Sequence, residues 1–199
     1  MGAFNKVTKE SLDNVQINAG MILKSFTPAN PAAPSASDIV CATTGGITAT
    51  CVPTFEDFGA DIDNCPNNTI EMKKVTGWEC TFSFTAVEVS EETIALALGV
   101  AGKVGTEVQP KTEVLAAYFK DIWFVSERVD NKIVAIKLKN ALSTGGLNYK
   151  TQKNGKGNLT VTLTGHVSIE DPASVPMLFY IATGGAATAS VAATQSTGK

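Results

Sequence analysis

Residues 70–89 read IEMKKVTGWECTFSFTAVEV, a stretch with the residue pattern of a long β-strand. From position 78 onward, apolar and polar residues alternate. The apolar residues are Trp78, Cys80, Phe82, Phe84 and Ala86, and the polar residues are Glu79, Thr81, Ser83 and Thr85. A period of two is typical of a β-strand with one face in a core and one face in solvent. At about 3.3 Å per residue, an unbroken strand here would extend roughly 65 Å, so we expect its edges and polar face to be used outside the monomer.

Length and composition indicate one domain, with or without long arms. The chain has 199 residues, of which 44% are hydrophobic and 18% are charged. The net charge of −3 and the isoelectric point of 5.2 argue against a general nucleic-acid binder. No apolar run approaches the roughly 18 residues of a membrane span, and residues 1–14 do not resemble a signal peptide. We therefore expect synthesis in the cytosol and no membrane insertion.

Most of the remaining chain also has the period of a strand. The predicted strands cover residues 15–23, 118–129, 132–139, 158–169 and 177–181. In the first of these, the apolar side consists of Val15, Ile17, Ala19, Met21 and Leu23. Two further short apolar runs flank Gly45 and Gly46, and we predict a small hairpin with these glycines as its turn.

One helix is predicted, over about residues 91–101. Ser90 is a good N-cap, and the acidic side chains of Glu91 and Glu92 face the positive end of the helix dipole. The apolar residues at helical spacing are Ile94, Ala97, Leu98 and Ala101. The pattern favours a short helix that seals one side of a sheet.

The sequence divides into a β-domain and two arms. Residues 1–13 are predicted as an N-terminal arm, 14–182 as the β-domain, and 183–199 as a flexible, low-complexity C-terminal arm. Two long loops are expected inside the domain, at 25–68 and 140–157. Long loops in compact domains are usually functional or extend to a partner.

The cysteine spacing does not indicate a zinc site. The four cysteines lack CxxC spacing and are distant in sequence from the single His166. Cys41 and Cys51 flank the predicted TTGGIT turn and would face each other in the hairpin. In a reducing compartment they stay thiols, and the sequence leaves open whether they pair.

The sequence contains no motif for catalysis or for a cofactor. Gly155-Lys156 lacks the rest of a phosphate loop, and no GxGxxG, GxSxG, HExxH or EF-hand pattern occurs. For the acidic stretch 54–68, a solvated or interface-facing loop is favoured over a weak cation site. His166 is predicted on a surface or an interface, and core packing is predicted for Trp78 and Trp123. We therefore predict no enzyme, no cofactor and no metal.

Charge is distributed asymmetrically along the chain. Residues 54–65 contain four acids and no base, whereas residues 130–156 contain six lysines and one acid. Opposite charges on separate loops suit self-association in which one face meets a different face of the next copy. Such a heterologous contact generates rings or filaments. The candidate contact residues are Glu56, Asp57, Asp61, Asp63, Lys137, Lys139, Lys150, Lys153 and Lys156.

Two quoted stretches and the helix between them resemble a known family. They are 55–89, FEDFGADIDNCPNNTIEMKKVTGWECTFSFTAVEV, and 136–181, IKLKNALSTGGLNYKTQKNGKGNLTVTLTGHVSIEDPASVPMLFYI. They resemble the tail tube (major tail) proteins of long-tailed, non-contractile siphovirus phages of Gram-positive bacteria. The resemblance spans most of residues 14–182 and does not include the proline-rich 25–37 loop or the C-terminal arm.

The resemblance implies a mainly β fold, a sandwich or distorted barrel with one flanking α-helix, long loops and terminal arms. It also implies hexameric rings that stack into a hollow tube, the conduit for DNA ejection, with long strands joined edge to edge around the channel. The lumen of this family tends to be acidic, so that DNA passes without specific binding. Glu71 and Glu79 are the lumen candidates because both occupy the polar parity of the long strand, a parity that Lys73 shares.

The same resemblance implies the partners and the location of the protein. Besides further copies of itself, it implies the tape-measure protein, the tail terminator and the distal tail or baseplate proteins. The protein would belong to the virion tail and be assembled in the cytoplasm of the bacterial host. The alternatives are a virion decoration or adhesion β-sandwich, the inner tube of a contractile tail or phage-tail-like particle, and an enzyme of unrecognised type.

Overall fold

The computed structural model describes residues 7–183, which form ten strands and two α-helices. The strands are β1 Gln16–Leu23, β2 Thr43–Asp57, β3 Lys73–Ala86, β4 Ala101–Val104, β5 Glu107–Pro110, β6 Lys120–Arg128, β7 Ile133–Ser143, β8 Asn148–Lys150, β9 Asn158–Thr164 and β10 Met177–Thr183. The helices are α1 Lys9–Asp13 and α2 Glu91–Leu98, and 3₁₀ turns occur at Ile70–Met72 and Ala116–Tyr118.

Two antiparallel sheets are joined through β7. The first sheet has the order β1-β6-β7-β10. The second contains β2, β3 and β9, and both β8 and the last residues of β7, Leu142 and Ser143, pair with β9. β4 and β5 form a separate hairpin. The predicted mainly β sandwich with one flanking helix is confirmed.

The main hydrophobic core lies between the two sheets. Its largest members include Ile22, Phe82, Phe84, Phe124, Leu138, Leu159 and Leu163. A second cluster covers the other face of the first sheet, where the ring of Trp123 lies 5.7 Å from that of Phe26 and 5.5 Å from that of Tyr180. Strand β6 is therefore buried on both faces, as its apolar sequence predicts.

Helix α2 begins as predicted but ends earlier than residue 101. The Ser90 hydroxyl accepts a hydrogen bond from the Thr93 N–H at 3.1 Å, the N-cap contact. Gly99 has φ 74° and ends the helix, after which Ala101 starts β4. The Ser143 hydroxyl donates to the Ala97 carbonyl at 2.6 Å, which fixes the helix against β7.

The predicted hairpin at Gly45 and Gly46 is wrong. Both glycines have positive φ, 75° and 78°, but they form a bulge inside one continuous strand. The register to β3 changes from Thr44↔Thr85 to Ile47↔Phe84 across the bulge. The predicted 25–68 loop therefore contains β2. Glycine with positive φ occurs in β-bulges as well as in hairpin turns. The Gly45-Gly46 pair in the sequence therefore does not show which of the two structures forms.

Other boundaries also differ from the sequence predictions. The stretch 70–89 is not one strand, because Ile70–Met72 is a 3₁₀ turn and β3 covers Lys73–Ala86. The predicted 140–157 loop includes the end of β7 and all of β8.

In β1, a bulge lies between Ile17 and Met21, at Asn18 and Gly20 with φ 69° each. The bulge inserts two residues, so Ile17 and Met21 stay on the same side of the sheet as Leu23. On that side the second cluster buries Leu23, whereas Val15, Ile17 and Met21 are exposed. Ile22, on the opposite side, belongs to the main core.

The two predicted arms are described only in part. Within the N-terminal arm, α1 has no buried residue, and its Thr8 N-cap accepts from the Ser11 N–H at 3.1 Å. Residues 1–6 of that arm and residues 184–199 of the C-terminal arm lie outside the described residues. Thr183, predicted to begin the C-terminal arm, is the last residue of β10.

Candidate assembly surfaces

The hairpin of β2 and β3 projects beyond the hydrophobic core. We call residues 52–79 the β2–β3 arm. At its root, Cys51 lies opposite Cys80, and Cys80 is fully buried. Further out, Trp78 is 41% exposed and Phe55 is 55% exposed. The prediction that Trp78 packs in a strand core is therefore wrong, because the opposing sheet does not reach this part of β3.

Three exposed apolar side chains of the arm, Phe55, Val75 and Trp78, lie on its core-facing side. The paired residues are Pro53↔Trp78 and, after a bulge at Thr76, Phe55↔Val75. Because facing residues on paired strands share a side, Trp78, Phe55 and Val75 continue the face that holds Cys80 in the core. The arm therefore presents a core-like surface whose side chains are about half exposed among the described residues.

The arm also has a long free edge. Among the described strands, β2 pairs only with β3 and is the last strand of its sheet, and it is 15 residues long. A free edge of this kind has a row of unpaired N–H and C=O groups that can bind a strand of another chain. Pro53 removes one donor from that row, and the bulge at Gly45 and Gly46 interrupts it.

The outer side of the second sheet is lined by hydroxyl side chains. We call it the threonine face. Across the three strands its members are Thr44, Thr48, Thr50, Thr81, Ser83, Thr85, Thr160, Thr162 and Thr164. Glu79, opposite Val52, continues this face toward the arm, as its predicted parity requires.

Glu71 and Lys73 do not follow the predicted parity. Glu71 lies in the 3₁₀ turn before β3 and not on the strand. The bulge at Thr76 places Lys73, opposite Asp57, on the core-facing side of the arm, away from Glu79. The sequence could not indicate this change, since a bulge is defined by the partner strand.

The predicted acidic contact residues lie at or near the tip of the arm. Glu56, Asp61 and Asp63 are exposed there. Asp57 instead shapes the tip, because its carboxylate accepts from the N–H groups of Gly59 at 3.0 Å and Asn68 at 3.1 Å.

Lys150, Lys153 and Lys156 are exposed on β8 and on the loop that follows it. Lys150 pairs with Asn158 at the start of β9, and Leu159 pairs with Ala86 at the end of β3. The acidic tip is beside the other end of β3, at Lys73. The 13 residue steps along β3 correspond to roughly 43 Å, so the acidic tip and the basic loop lie at opposite ends of one sheet.

Lys137 and Lys139 are already engaged within the monomer. They lie on β7, within the strand predicted over 132–139. Lys137 Nζ is 2.5 Å from a carboxylate oxygen of Asp121 and 5.4 Å from the ring centre of Trp123, and Lys139 Nζ donates to Ser174 at 2.8 Å. Burial raises the pKa of Asp121, but hydrogen bonds from Lys137 and from the Asn140 N–H and the lysine charges outweigh it, so the pKa is lowered. These lysines fit a structural role better than a contact role.

The titratable side chains and one groove of the described residues bear on catalysis and on metal binding. Between positions 7 and 183, no three His, Cys, Asp or Glu side chains are grouped to hold a metal ion, and no helix is long and apolar enough to cross a membrane. His166 lies with Nδ1 3.2 Å from the Asn140 carbonyl and its ring against Phe119, centres 5.1 Å apart. A groove of about 940 Å³ lies between α2 and β6, and its lining residues include Lys24, Glu92, Lys103, Lys120 and Asp121.

The chain is similar in structure to two chains from gene transfer agent particles. One belongs to the virion of a native particle, with 9% identity, a TM-score of 0.42 and coverage of 81% of this chain and 95% of that chain. The other belongs to the tail of an empty particle, computed with helical refinement and C6 symmetry, with 9% identity, a TM-score of 0.37 and coverage of 75% and 92%. No family model and no curated protein matches the chain. Likenesses this distant do not assign a function.

Proposed function

We propose that the chain is a structural virion protein, the subunit of a phage-type tail tube, and that it is not an enzyme. The observation that supports this most directly is the β2–β3 arm, with its core-like face exposed and the β2 edge unpaired. A monomeric protein rarely exposes such a contiguous apolar surface without a partner. The partner that fits best is a second copy, because a strand edge and an apolar face are both satisfied by neighbouring sheets.

Contacts within a ring are assigned to the arm. The exposed side chains of Trp78, Phe55 and Val75 pack against the next subunit, and the β2 edge adds main-chain hydrogen bonds to a neighbouring strand. Repetition of this contact around an axis gives a closed ring, which we propose to be hexameric.

Contacts between rings are assigned to charge. The acidic tip and the basic loop face away from each other along β3, so they cannot neutralise each other within one copy. Glu56, Asp61 and Asp63 of one subunit instead meet Lys150, Lys153 and Lys156 of another. A contact between different patches on identical copies does not close on itself along the axis, so it produces a stack.

The threonine face is assigned to the lumen. Its hydroxyl groups carry no charge and therefore supply no electrostatic attraction for the phosphate backbone, and Glu79 repels it, so DNA passes without being held tightly. Glu71 is assigned to the acidic tip instead of the lumen. In this account the tape-measure protein, the tail terminator and the distal tail or baseplate proteins are further partners, and assembly takes place in the cytoplasm of the bacterial host.

A second candidate is favoured by the exposed aromatic rings of the arm. Phe55, Phe58 and Trp78 are 55%, 49% and 41% exposed. A decoration or adhesion protein of the virion would use such rings to bind a capsid or a glycan, and it would remain a monomer or a small closed oligomer. The tube of a contractile tail would share all features above, with a sheath protein as an extra partner.

Sedimentation velocity of the purified protein across a range of concentrations tests the proposal. We expect species that grow with concentration, and loss of the large species in a Phe55→Ser variant. The matched control is Ile169→Ser, since Ile169 is 94% exposed on a loop outside the arm. A wild-type protein that stays monomeric throughout overturns the tube function, whereas a Phe55→Ser variant that assembles normally overturns only the role of the arm.

A further inference from the structure

Two thiols face each other at the root of the β2–β3 arm. Cys51 on β2 and Cys80 on β3 are directly opposite in the register, and their Sγ atoms are 3.0 Å apart. That distance is about 1 Å longer than a disulfide bond of about 2.05 Å. Cys80 is fully buried, and Cys51 is partly exposed at the edge strand, so a reagent reaches the pair from the side of Cys51.

The other two cysteines have different surroundings. Cys41 is buried, and Cys65 lies in the tip, where its Sγ is 3.5 Å from the Thr69 hydroxyl and 3.8 Å from the Pro66 carbonyl. The described residues therefore contain one cysteine pair in bonding position, and it is not the Cys41–Cys51 pair that the hairpin would have brought together.

We propose that Cys51 and Cys80 are a modification site that a small-molecule disulfide, such as glutathione disulfide, oxidises to a reversible cross-strand disulfide. This inference is independent of the proposed function, because it rests only on the geometry of the two thiols. In a reducing cytoplasm the site stays in the thiol form seen here, and an oxidising medium closes it.

The reaction is two exchanges of thiol and disulfide. The Cys51 thiolate attacks one sulfur of the glutathione disulfide, forms a mixed disulfide and releases one glutathione thiolate. The Cys80 thiolate then attacks Sγ of Cys51, forms the protein disulfide and releases the second glutathione thiolate. Two protein thiols are oxidised, one disulfide reagent is reduced, and two protons pass to the solvent or to the released thiolates.

The buried thiol controls the second exchange. Burial raises the pKa of Cys80 to about 12, and the contact with Cys51 adds to the effect. Below that value the thiolate fraction increases about tenfold per pH unit, so the disulfide is expected to form faster at pH 9 than at pH 7.

The position of the bond determines its effect. It closes the chain between residues 51 and 80, a segment that contains the whole arm. The bond reduces the number of conformations open to the unfolded chain. In the folded protein it prevents the two strands from separating at the root of the arm. A gain of roughly 5–10 °C in melting temperature is expected for the oxidised protein.

The experiment is incubation of the purified protein in glutathione buffers of increasing oxidised fraction. The remaining thiols are then alkylated, and peptides from cleavage at lysine and at acidic residues are mapped by mass spectrometry. We expect a Cys51–Cys80 link, a mass loss of two hydrogens, a higher melting temperature and reversal by dithiothreitol. Cys51→Ser should abolish all four, and the control Cys65→Ser should leave them unchanged.

Several results would overturn the site. These are thiols that stay free at the highest oxidised fraction, a link that involves Cys41 or Cys65, or a link that leaves the melting temperature unchanged. Because Cys51 is partly exposed, Cys51→Ser is expected to fold, and its melting temperature under reducing conditions verifies this.

Discussion

Trp78 and Cys80 lie on the same face of β3, yet Trp78 is 41% exposed and Cys80 is completely buried. The difference arises because the first sheet covers β3 only from Cys80 onward. The strand itself continues beyond this point, and its alternation of side chains is kept as far as the bulge at Thr76. A face built for a core but left uncovered in the monomer is what a subunit interface requires.

Truncating Trp78 should affect assembly more than folding. Trp78→Ala is expected to cost at most about 1–2 kcal/mol of unfolding free energy, because the ring is already partly in solvent. The matched control is Phe82→Ala, on the same face but fully buried, with an expected cost of about 3–5 kcal/mol. Urea unfolding measures the stability and light scattering measures the assembly. If both variants lose similar stability, the arm is covered within the monomer and the interpretation is wrong.

Reversing either set of loop charges should impair stacking. Asp61→Lys with Asp63→Lys, or Lys153→Glu with Lys156→Glu, should raise the concentration needed for assembly by at least about tenfold, since like charges then meet. Lys111→Glu, an exposed lysine beside β5, is the control.

Mixing the two charge-reversed proteins should restore part of the contact, because opposite charges then meet again between different copies. Scattering against concentration at low and high salt measures both effects. If the charge-reversed variants assemble at the same protein concentration as the wild type at low salt, charge does not stabilise the contacts between rings.

The glycine bulge in β2 should be sensitive to alanine for conformational reasons alone. Gly45 and Gly46 have positive φ, and a Cβ added at either meets no atom within 4 Å. Gly45→Ala should therefore lower the unfolding free energy by about 1–2 kcal/mol through backbone strain. Gly77→Ala is the control, since its surroundings are equally open and its φ is not positive. Equal stability of the two variants in urea would contradict the bulge.

Asp121 should contribute to acid sensitivity. Its folded pKa lies below the ordinary value of 3.8, because the contacts with Lys137 and Asn140 outweigh the effect of burial. A carboxylate with a lowered folded pKa stabilises the protein above its unfolded pKa, and this stabilisation is lost as the pH falls through the folded pKa. The stability difference between wild type and Asp121→Asn should thus be largest near neutral pH, decrease as the pH falls below the unfolded pKa, and vanish once the pH lies below the folded pKa. A difference that is constant with pH would exclude this role.

The sequence predicted which side chains share a face of a strand better than it predicted which faces are covered by other parts of the protein. Alternation correctly placed Phe82, Phe84, Leu159 and Leu163 in one core, because the period of side chains is a local property. The exposure of Trp78 depends on how far the opposing sheet extends along β3. The sequence pattern around Trp78 carries no information about that extent. The same limit explains the exposure of Val15, Ile17 and Met21, which share a side of the sheet with the buried Leu23 but are not covered by the second cluster.

The candidate surfaces were partly predictable. Charge counting found the acidic tip and the basic loop, and the strand register added that they lie at opposite ends of one sheet. The structure also showed that Lys137, inside the predicted strand 132–139, pairs with Asp121, a contact that a count of charges does not reveal. The Cys51–Cys80 pair was not predicted, because Gly45-Gly46 has the sequence signal of a turn. Such a turn would place Cys41, and not Cys80, opposite Cys51.

The most direct test of the tube account is electron microscopy of the purified protein, in negative stain and then by helical reconstruction. The account predicts hollow tubes in which the threonine face lines the lumen and the β2 edges pair across subunits. Monomers or small closed oligomers at every concentration, with or without tape-measure and baseplate proteins, would contradict it. A tube with the threonine face on its outer surface would contradict the assignment of the lumen.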